Sequence, residues 1–178
     1  MSFTLRQATQ DDAAAIAAAQ RMSWRETYSE LGIDRFLGQQ TQAVRTAAWV
    51  KHLAPETHPN ATFVCLDRLG EVVAFCSSGP SRREAFAGQG EIYALYCVNR
   101  AQGRGLGKAL MVRQAQHLRA LGYAAIFVRT LQSGAAKHFY QHLGGVYAGE
   151  GTVEFAGVTL PDVIYAWGDV GVLAEQAG

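Results

Sequence analysis

The chain has 178 residues, of which 49% are apolar and 17% are charged, and this composition excludes a disordered protein and predicts one folded domain. Its 16 Lys and Arg residues against 15 Asp and Glu residues give a net charge of +1. That balance excludes the broad basic surface of a nucleic-acid-coating protein, so any bound anion is expected to be held locally.

Three features of the sequence bear on the cell compartment. The start of the chain, Met1 to Leu5, lacks the basic and then apolar pattern of a signal peptide. No run of about 20 apolar residues is present, so no membrane span is predicted. The three cysteines, Cys65, Cys76 and Cys97, are an odd number in apolar stretches, which indicates reduced thiols. The sequence therefore predicts a cytoplasmic protein that has no membrane partner.

The first third of the chain is predicted to be mostly helical. Residues 3–8 alternate in polarity enough to form a first strand. Thr9 and Asp12 have the spacing of a capping box, and the alanine-rich run after them predicts a helix that continues toward Tyr28. A second helix is predicted for residues 34–53.

The middle of the chain is predicted to be rich in strands. Residues 61–66 and 71–77 are candidates for a hairpin. Residues 91–98 form a strand that is expected to be buried on both faces. A helix is predicted to begin in the glycine-rich segment 103–107 and to end at Gly122.

The last third of the chain returns to mixed structure. A short apolar strand at 124–128 is followed by a helix at 133–143 and by a terminal hairpin of residues 146–155 and 158–167. The fold class is thus mixed α/β, with a single domain at residues 1–169. The remaining tail, residues 170–178, is expected to be less ordered.

The strongest motif is the loop Gln102-Gly-Arg-Gly-Leu-Gly-Lys108 between a strand and a helix. Glycines let backbone amides approach a phosphate, and a helix N-terminus favours an anion. The dinucleotide pattern G-x-G-x-x-G fails because Lys108 or Leu110 would take its last position. The Walker A pattern fails because Ala109 stands where Ser or Thr is needed. Q-x-x-G-x-G remains, and a tight packing turn is the alternative interpretation.

This loop, together with the strand Glu91-Ile-Tyr-Ala-Leu-Tyr-Cys-Val98 before it, resembles the acetyl-CoA motif of the GNAT superfamily of N-acetyltransferases. The likeness extends over most of the chain, from Phe3 to Asp169, in the order of the elements. It implies a twisted mixed β-sheet of about seven strands, flanked by about four helices and split to admit acetyl-CoA. The cofactor-binding residues that it implies are Cys97, Val98, Gln102, Gly103, Arg104, Gly105, Leu106, Gly107, Lys108 and Ser133.

The resemblance also implies how the thioester is held. Strand 91–98 should bulge at its end and separate from strand 124–128, so that the pantetheine arm pairs with the exposed backbone. The amide of Val98 is then expected to stabilise the thioester oxygen as it gains negative charge. Covalent catalysis by Cys97 is the alternative, but no adjacent histidine activates that thiol.

Two residues are assigned to proton transfer by the same resemblance. An amine with a pKa of about 10.4 must lose a proton before it attacks, and Glu91 is the candidate base. The alternative for Glu91 is an exposed residue at the start of a strand. Tyr140 is the candidate acid for the departing thiolate, with a packing tyrosine as the alternative. Ser133 stands where the family usually has an asparagine, and it can still cap the helix and bind pantetheine.

The acceptor is expected to be a small-molecule amine or a protein amino group. Trp24, Tyr28 and Tyr93 are the candidate substrate-binding residues, with core packing as the alternative. His138 and His142 lack a third ligand, so no metal is expected. Homodimerisation through the terminal hairpin is one option. The competing functions are an acyl-CoA-binding regulatory domain without catalysis and a nucleotide-phosphate enzyme.

Overall fold

The computed structural model describes residues 2–31, 33–54, 59–132 and 136–176. The strands are β1 (Thr4–Gln7), β2 (Ala61–Leu66), β3 (Val72–Pro80), β4 (Gly90–Cys97), β5 (Ile126–Leu131), β6 (Val146–Phe155) and β7 (Val158–Trp167). The helices are α1 (Ala13–Tyr28), α2 (Asp34–Gln39), α3 (Gln42–His52), α4 (Leu106–Ala120), α5 (Ala136–His142) and α6 (Val170–Ala174). The strands form one sheet in the order β1-β2-β3-β4-β5-β7-β6.

Helices cover both faces of this sheet. Trp49 of α3 packs edge-on against Phe75 of β3, with ring centroids 5.2 Å apart. On the opposite face the Ser78 hydroxyl donates to Gln114 Oε1 of α4 at 2.6 Å. Odd and even residues of a strand point to opposite faces, so α3 and α4 sandwich β3. The predicted fold class, a seven-stranded mixed sheet with about four longer helices, is confirmed.

The entry to α1 follows the predicted capping box. The backbone amide of Thr9 donates to Asp12 Oδ2 at 2.8 Å. Arg6 of β1 binds the same carboxylate at 2.7 Å, and its guanidinium lowers the pKa of Asp12 below its ordinary value. The cap therefore also joins the first strand to the first helix.

The prediction of one continuous second helix is wrong. Residues 34–53 form two helices, α2 and α3, because Thr41 starts a new helix instead of continuing the old one. Its hydroxyl accepts a hydrogen bond from the Val44 amide at 3.3 Å, as an N-cap does.

The expectation of a less ordered tail is also wrong for residues 170–174. The Asp169 carboxylate accepts from the Gly171 amide at 2.8 Å and caps α6. Leu173 of this helix is fully buried, and Gln116 of α4 donates to the Ala174 carbonyl at 3.1 Å. The fold thus continues past Asp169, because α6 covers apolar surface of α4.

The sheet is split between β4 and β5. These two strands are parallel, and they pair only through Gly90, Glu91 and Ile92 of β4. Beyond Ile92 the strands separate, as the resemblance implied. The expectation that this strand is buried on both faces is wrong for residues 93–97, which are half-buried because β5 leaves them.

The terminal hairpin is confirmed. Ala156 and Gly157 join β6 to β7, and both have positive φ angles, of 56° and 79°. Two consecutive positive φ angles are typical of the type I′ turn of tight hairpins. Within the described ranges, no helix combines the length and the apolar character needed to cross a bilayer.

Candidate active site

A cavity of about 960 Å³ opens where β4 and β5 separate. Its walls come from α1, the start of α4, α5 and the β6–β7 hairpin as well as from β4 and β5, so segments that are distant along the chain meet there. Both the glycine loop and the exposed half of β4 line this one space. The cavity can therefore hold an elongated ligand that reaches from the loop to the split in the sheet.

The glycines of the loop serve two different needs. Gly103 and Gly105 have φ angles of 70° and 77°, and an added Cβ at either position would contact nothing, so their need is conformational. Gly107 lies in α4, where a Cβ would come within 3.1 Å of the Phe139 ring. The first two glycines expose the amides that precede α4, and the third lets α5 approach. These amides fit a diphosphate.

The longer side chains of the loop point in different directions. Gln102 Nε2 donates to the Cys97 carbonyl at 3.1 Å, so this side chain ties the loop to the end of β4. Lys108 is half-buried and lines the cavity. The guanidinium of Arg104 lies 5.8 Å from the Phe3 ring, and Arg104 is not among the lining residues. Lys108 is thus the loop cation best placed for a bound phosphate.

A β-bulge in β4 decides which backbone amides face the split. Ser77 opposes Ala94 and Ser78 opposes Ile92, so Tyr93 is an extra residue in β4. The extra residue reverses the alternation of amides along the strand. The resemblance implied a bulge at the end of the strand, near residues 97 and 98, and its position is corrected to Tyr93.

The reversal also corrects the choice of oxyanion donor. The Val98 amide donates to the Val73 carbonyl of β3 at 3.0 Å, so it is already engaged. Because hydrogen-bonding groups alternate along a strand, the amides of Leu95 and Cys97 point to the side that β5 has left. Leu95 is therefore a cavity-lining residue with an amide toward the split, and the sequence analysis did not name it.

Glu91 is buried in the cavity wall, with 4% of its side chain exposed. Its Oε2 accepts from the Arg82 backbone amide at 2.8 Å, and its Oε1 accepts from Arg82 Nη2 at 2.6 Å. The Arg82 guanidinium also lies 4.0 Å from the centroid of the Tyr93 ring. Glu91 is thus not an exposed end residue, and its negative charge is balanced by Arg82.

Tyr140 is buried and lines the cavity from α5. Its ring lies 6.4 Å from those of Tyr165 and Trp167 in β7. Burial raises the pKa of Tyr140 above its ordinary value. The phenol therefore stays protonated at neutral pH and can act as a proton donor.

The two candidate proton carriers approach the split from opposite faces of the sheet. Glu91 opposes Phe127 of β5, which in turn opposes Ala166 of β7, so these side chains share a face. Tyr140 packs against Tyr165 and Trp167, which alternate with Ala166 and so occupy the other face. A ligand that passes through the split could contact both residues.

The three candidate acceptor residues are placed differently. Tyr28 and Tyr93 line the cavity, whereas Trp24 is buried behind its wall and donates its indole N–H to the Tyr96 hydroxyl at 2.9 Å. The Tyr93 hydroxyl donates to the Pro80 carbonyl at 2.6 Å, so this hydroxyl is engaged with β3. Trp24 thus supports the wall in place of contacting the cavity directly.

The lining residues that escaped the sequence analysis include Arg82, Arg129, Phe155 and Asp162. Arg129 of β5 forms an ion pair with Asp162 of β7, and it also donates to the Thr152 carbonyl at 2.8 Å. An aspartate inside the apolar strand Val158–Trp167 is a signal that could have been noticed, because a buried carboxylate needs a partner. Phe155 and Arg82 carry no such signal.

The remaining sequence expectations concern Ser133, the histidines and Cys97. Ser133 lies outside the described residues. Among the residues that the structure describes, no three His, Cys, Asp or Glu side chains form a metal-binding group. Burial raises the pKa of the Cys97 thiol to about 11, which disfavours the thiolate needed for covalent catalysis.

Comparison with known proteins gives consistent matches. The model of the acetyltransferase (GNAT) family matches residues 13–145. The uncharacterised N-acetyltransferase YuaI of Bacillus subtilis (strain 168) is 31% identical over 170 residues, covering 96% of this chain and 95% of YuaI.

Solved structures show the same fold. An N-acetyltransferase from Staphylococcus aureus Mu50 superposes with a TM-score of 0.74 at 22% identity, covering 96% of this chain and 99% of that protein. YncA from Salmonella typhimurium, solved with its cofactor acetyl-CoA, has a TM-score of 0.72 at 21% identity, covering 100% and 98%. PaiA from Thermoplasma acidophilum, solved with coenzyme A, has a TM-score of 0.70 at 13% identity, covering 93% and 98%.

Proposed function

Because this chain belongs to the acetyltransferase (GNAT) family and is an acetyl-CoA-dependent N-acetyltransferase, we propose that it transfers the acetyl group directly to a primary amine. The acceptor and the thioester would occupy the cavity together, so that no covalent acetyl-enzyme intermediate is formed. The raised pKa of Cys97 supports direct transfer, since a protonated thiol is a poor nucleophile.

The observation that carries the proposal is the meeting of two binding features in one cavity. The N-terminus of α4 offers backbone amides after Gly105, and the half of β4 beyond Ile92 offers an unpaired strand edge. A ligand with a diphosphate at one end and an extended amide-containing arm satisfies both features. Acetyl-CoA has this shape, and YncA was solved with it.

We assign the base to Glu91, acting directly or through a water molecule. As the amine nitrogen bonds to the thioester carbon, Glu91 takes the proton that the nitrogen loses. The amide of Leu95 or that of Cys97 stabilises the negative charge on the carbonyl oxygen; two residues apart on an extended strand, the two amides do not donate to the same atom. Their position on the open edge of β4 supports this role in place of Val98.

We assign the acid to Tyr140. When the carbon–sulfur bond breaks, the thiolate takes the phenolic proton, and the products are the acetylated amine and free CoA. The Glu91 proton returns to solvent, and Tyr140 regains a proton from it. The position of Tyr140 across the split from Glu91 supports this division, because the acid and the base serve opposite sides of the thioester carbon.

The test measures acetyl-CoA binding by calorimetry and thiol release with a panel of primary amines. The proposal expects binding, and amine-dependent thiol release with one acetylated amine formed per CoA. Binding without any amine-dependent release would favour an acyl-CoA-binding regulatory domain. Preference for ATP or NAD over acetyl-CoA would overturn the assignment of the loop.

A cytoplasmic location and a homodimer stay predictions.

A further inference from the structure

Arg82 presents unused donors to the cavity. One Nη2 bond and one backbone bond hold Glu91, and the side chain is otherwise 60% exposed. A guanidinium has five N–H groups, and within the described part of the chain the others have no hydrogen-bond partner. Stacking on Tyr93 limits where the guanidinium can point. Arg82 is thus a positioned cation that can still bind an anionic group.

A second ion pair lies on the same face of the sheet. Glu91 opposes Phe127, Arg129 is two residues further along β5, and Asp162 opposes Leu131, so all of these side chains point the same way. Asp162 is 2% exposed. Among the described residues, its Oδ1 and the Nε of Arg129 have no hydrogen-bond partner. The pair therefore has one acceptor and one donor left unsatisfied.

The acceptor side of the cavity is consequently balanced in charge. In the described part of the chain, three carboxylates line the cavity, Glu26, Glu91 and Asp162, and so do three cations, Arg82, Lys108 and Arg129. Glu91 and Asp162 each have an arginine beside them, and Glu26 accepts a hydrogen bond from the Asn99 amide at 2.9 Å. A polyamine would bring several positive charges against Arg82 and Arg129, and a simple anion would meet the carboxylates. A molecule that carries both a positive and a negative charge can match the carboxylates and the arginines at the same time.

We propose that the acceptor is a zwitterion of the α-amino acid class, with its carboxylate bound by Arg82 and its amino group directed to Glu91. This inference rests on the proposed function, because it places the reacting amine at Glu91. The planar guanidinium suits a carboxylate, which can accept two parallel hydrogen bonds from it. The adjacent ammonium then loses its proton to the carboxylate that Arg82 already holds.

The test compares matched ligands. Each standard L-amino acid is titrated into the protein–CoA complex by calorimetry, and phenylalanine, leucine and lysine are compared with their amides and with phenethylamine, isoamylamine and cadaverine. Loss of the carboxylate should weaken binding about 10- to 100-fold, the value of a charged hydrogen bond. The amides are a strict control, because their lower amine pKa makes them the better nucleophiles if recognition is ignored.

Two variants locate the recognition. Arg82→Gln should remove the preference for an amino acid over its amide, whereas Arg83→Gln, whose side chain is not among the cavity-lining residues, should keep it. If Arg82 served only to hold Glu91, the variant would slow transfer to the acid and the amide by equal factors. Equal factors would overturn the assignment.

The two proposals fail in different ways. If amino acids bind the CoA complex with the stated preference but no acetyl transfer occurs, the proposed function is overturned and the recognition site is supported. If acetyl transfer occurs, but cadaverine or the amino-acid amides are acetylated as fast as the amino acids or faster, only this inference is overturned. Absence of binding by every standard amino acid at millimolar concentration would overturn it as well.

Discussion

Single residues in the cavity are held in ways that suit opposite proton transfers. Glu91 forms an ion pair with Arg82 and accepts hydrogen bonds from it, and burial raises the pKa of Tyr140. A carboxylate base and a neutral phenol acid therefore coexist at one pH. The structure places the two residues on opposite faces of the sheet.

Replacing Tyr140 by Phe should lower kcat by about 100-fold or more, with little change in the affinity for acetyl-CoA, because only a proton donor is lost. Steady-state kinetics and calorimetry check this. Since the pKa of Tyr140 is raised, its protonated form persists to higher pH than in a free phenol. Turnover of the wild type should therefore show no loss from Tyr140 below about pH 10. Unchanged kcat in the variant would remove Tyr140 from the mechanism.

At the scale of elements, the sequence predicted the glycine loop and its setting, because a short local pattern is enough to start a helix after a strand. The break between α2 and α3 was missed, since a threonine is tolerated inside a helix and acts as a cap only when the chain before it turns. The bulge at Tyr93 was also misplaced. Nothing in the segment Glu91–Val98 distinguishes a bulged residue from a paired one, because the register with β3 decides it.

The close approach of α4 and α5 gives an element-level prediction. Gly107→Ala should destabilise the protein and weaken acetyl-CoA binding, because the new methyl group meets the Phe139 ring at 3.1 Å and the ring must shift by a few tenths of an ångström against its neighbours. Adding Phe139→Leu should recover part of the loss in a double-mutant cycle. Thermal melting and calorimetry measure both effects. Additive effects of the two substitutions would contradict the proposed contact.

At the scale of the whole molecule, α6 matters although it is far along the chain from the site. It packs on α4, the helix whose N-terminus lines the cavity. The stability of α4 therefore depends on residues that come after the terminal hairpin. A truncated protein that ends at Asp169 would expose the apolar surface which α6 covers.

Leu173→Ala should lower the free energy of unfolding by about 2 to 5 kcal/mol, because Leu173 is fully buried. The matched control, Val172→Ala, changes a residue that is 56% exposed and should cost no more than about 0.5 kcal/mol. Urea unfolding gives both values. A Leu173 variant as stable as the control would show that α6 does not hold α4.

The sequence by itself determined the α/β class, the order of the elements and the anion-binding loop, because hydrophobic period and glycine spacing are local properties. It also identified Glu91 and Tyr140 as candidates through the resemblance to a family. Only the tertiary structure decided that Val98 is engaged with β3, that Arg82 and Arg129 pair with Glu91 and Asp162, and that Phe155 forms part of the wall. These contacts join segments that are distant along the chain, and their geometry follows from strand register and helix packing, which no local pattern encodes.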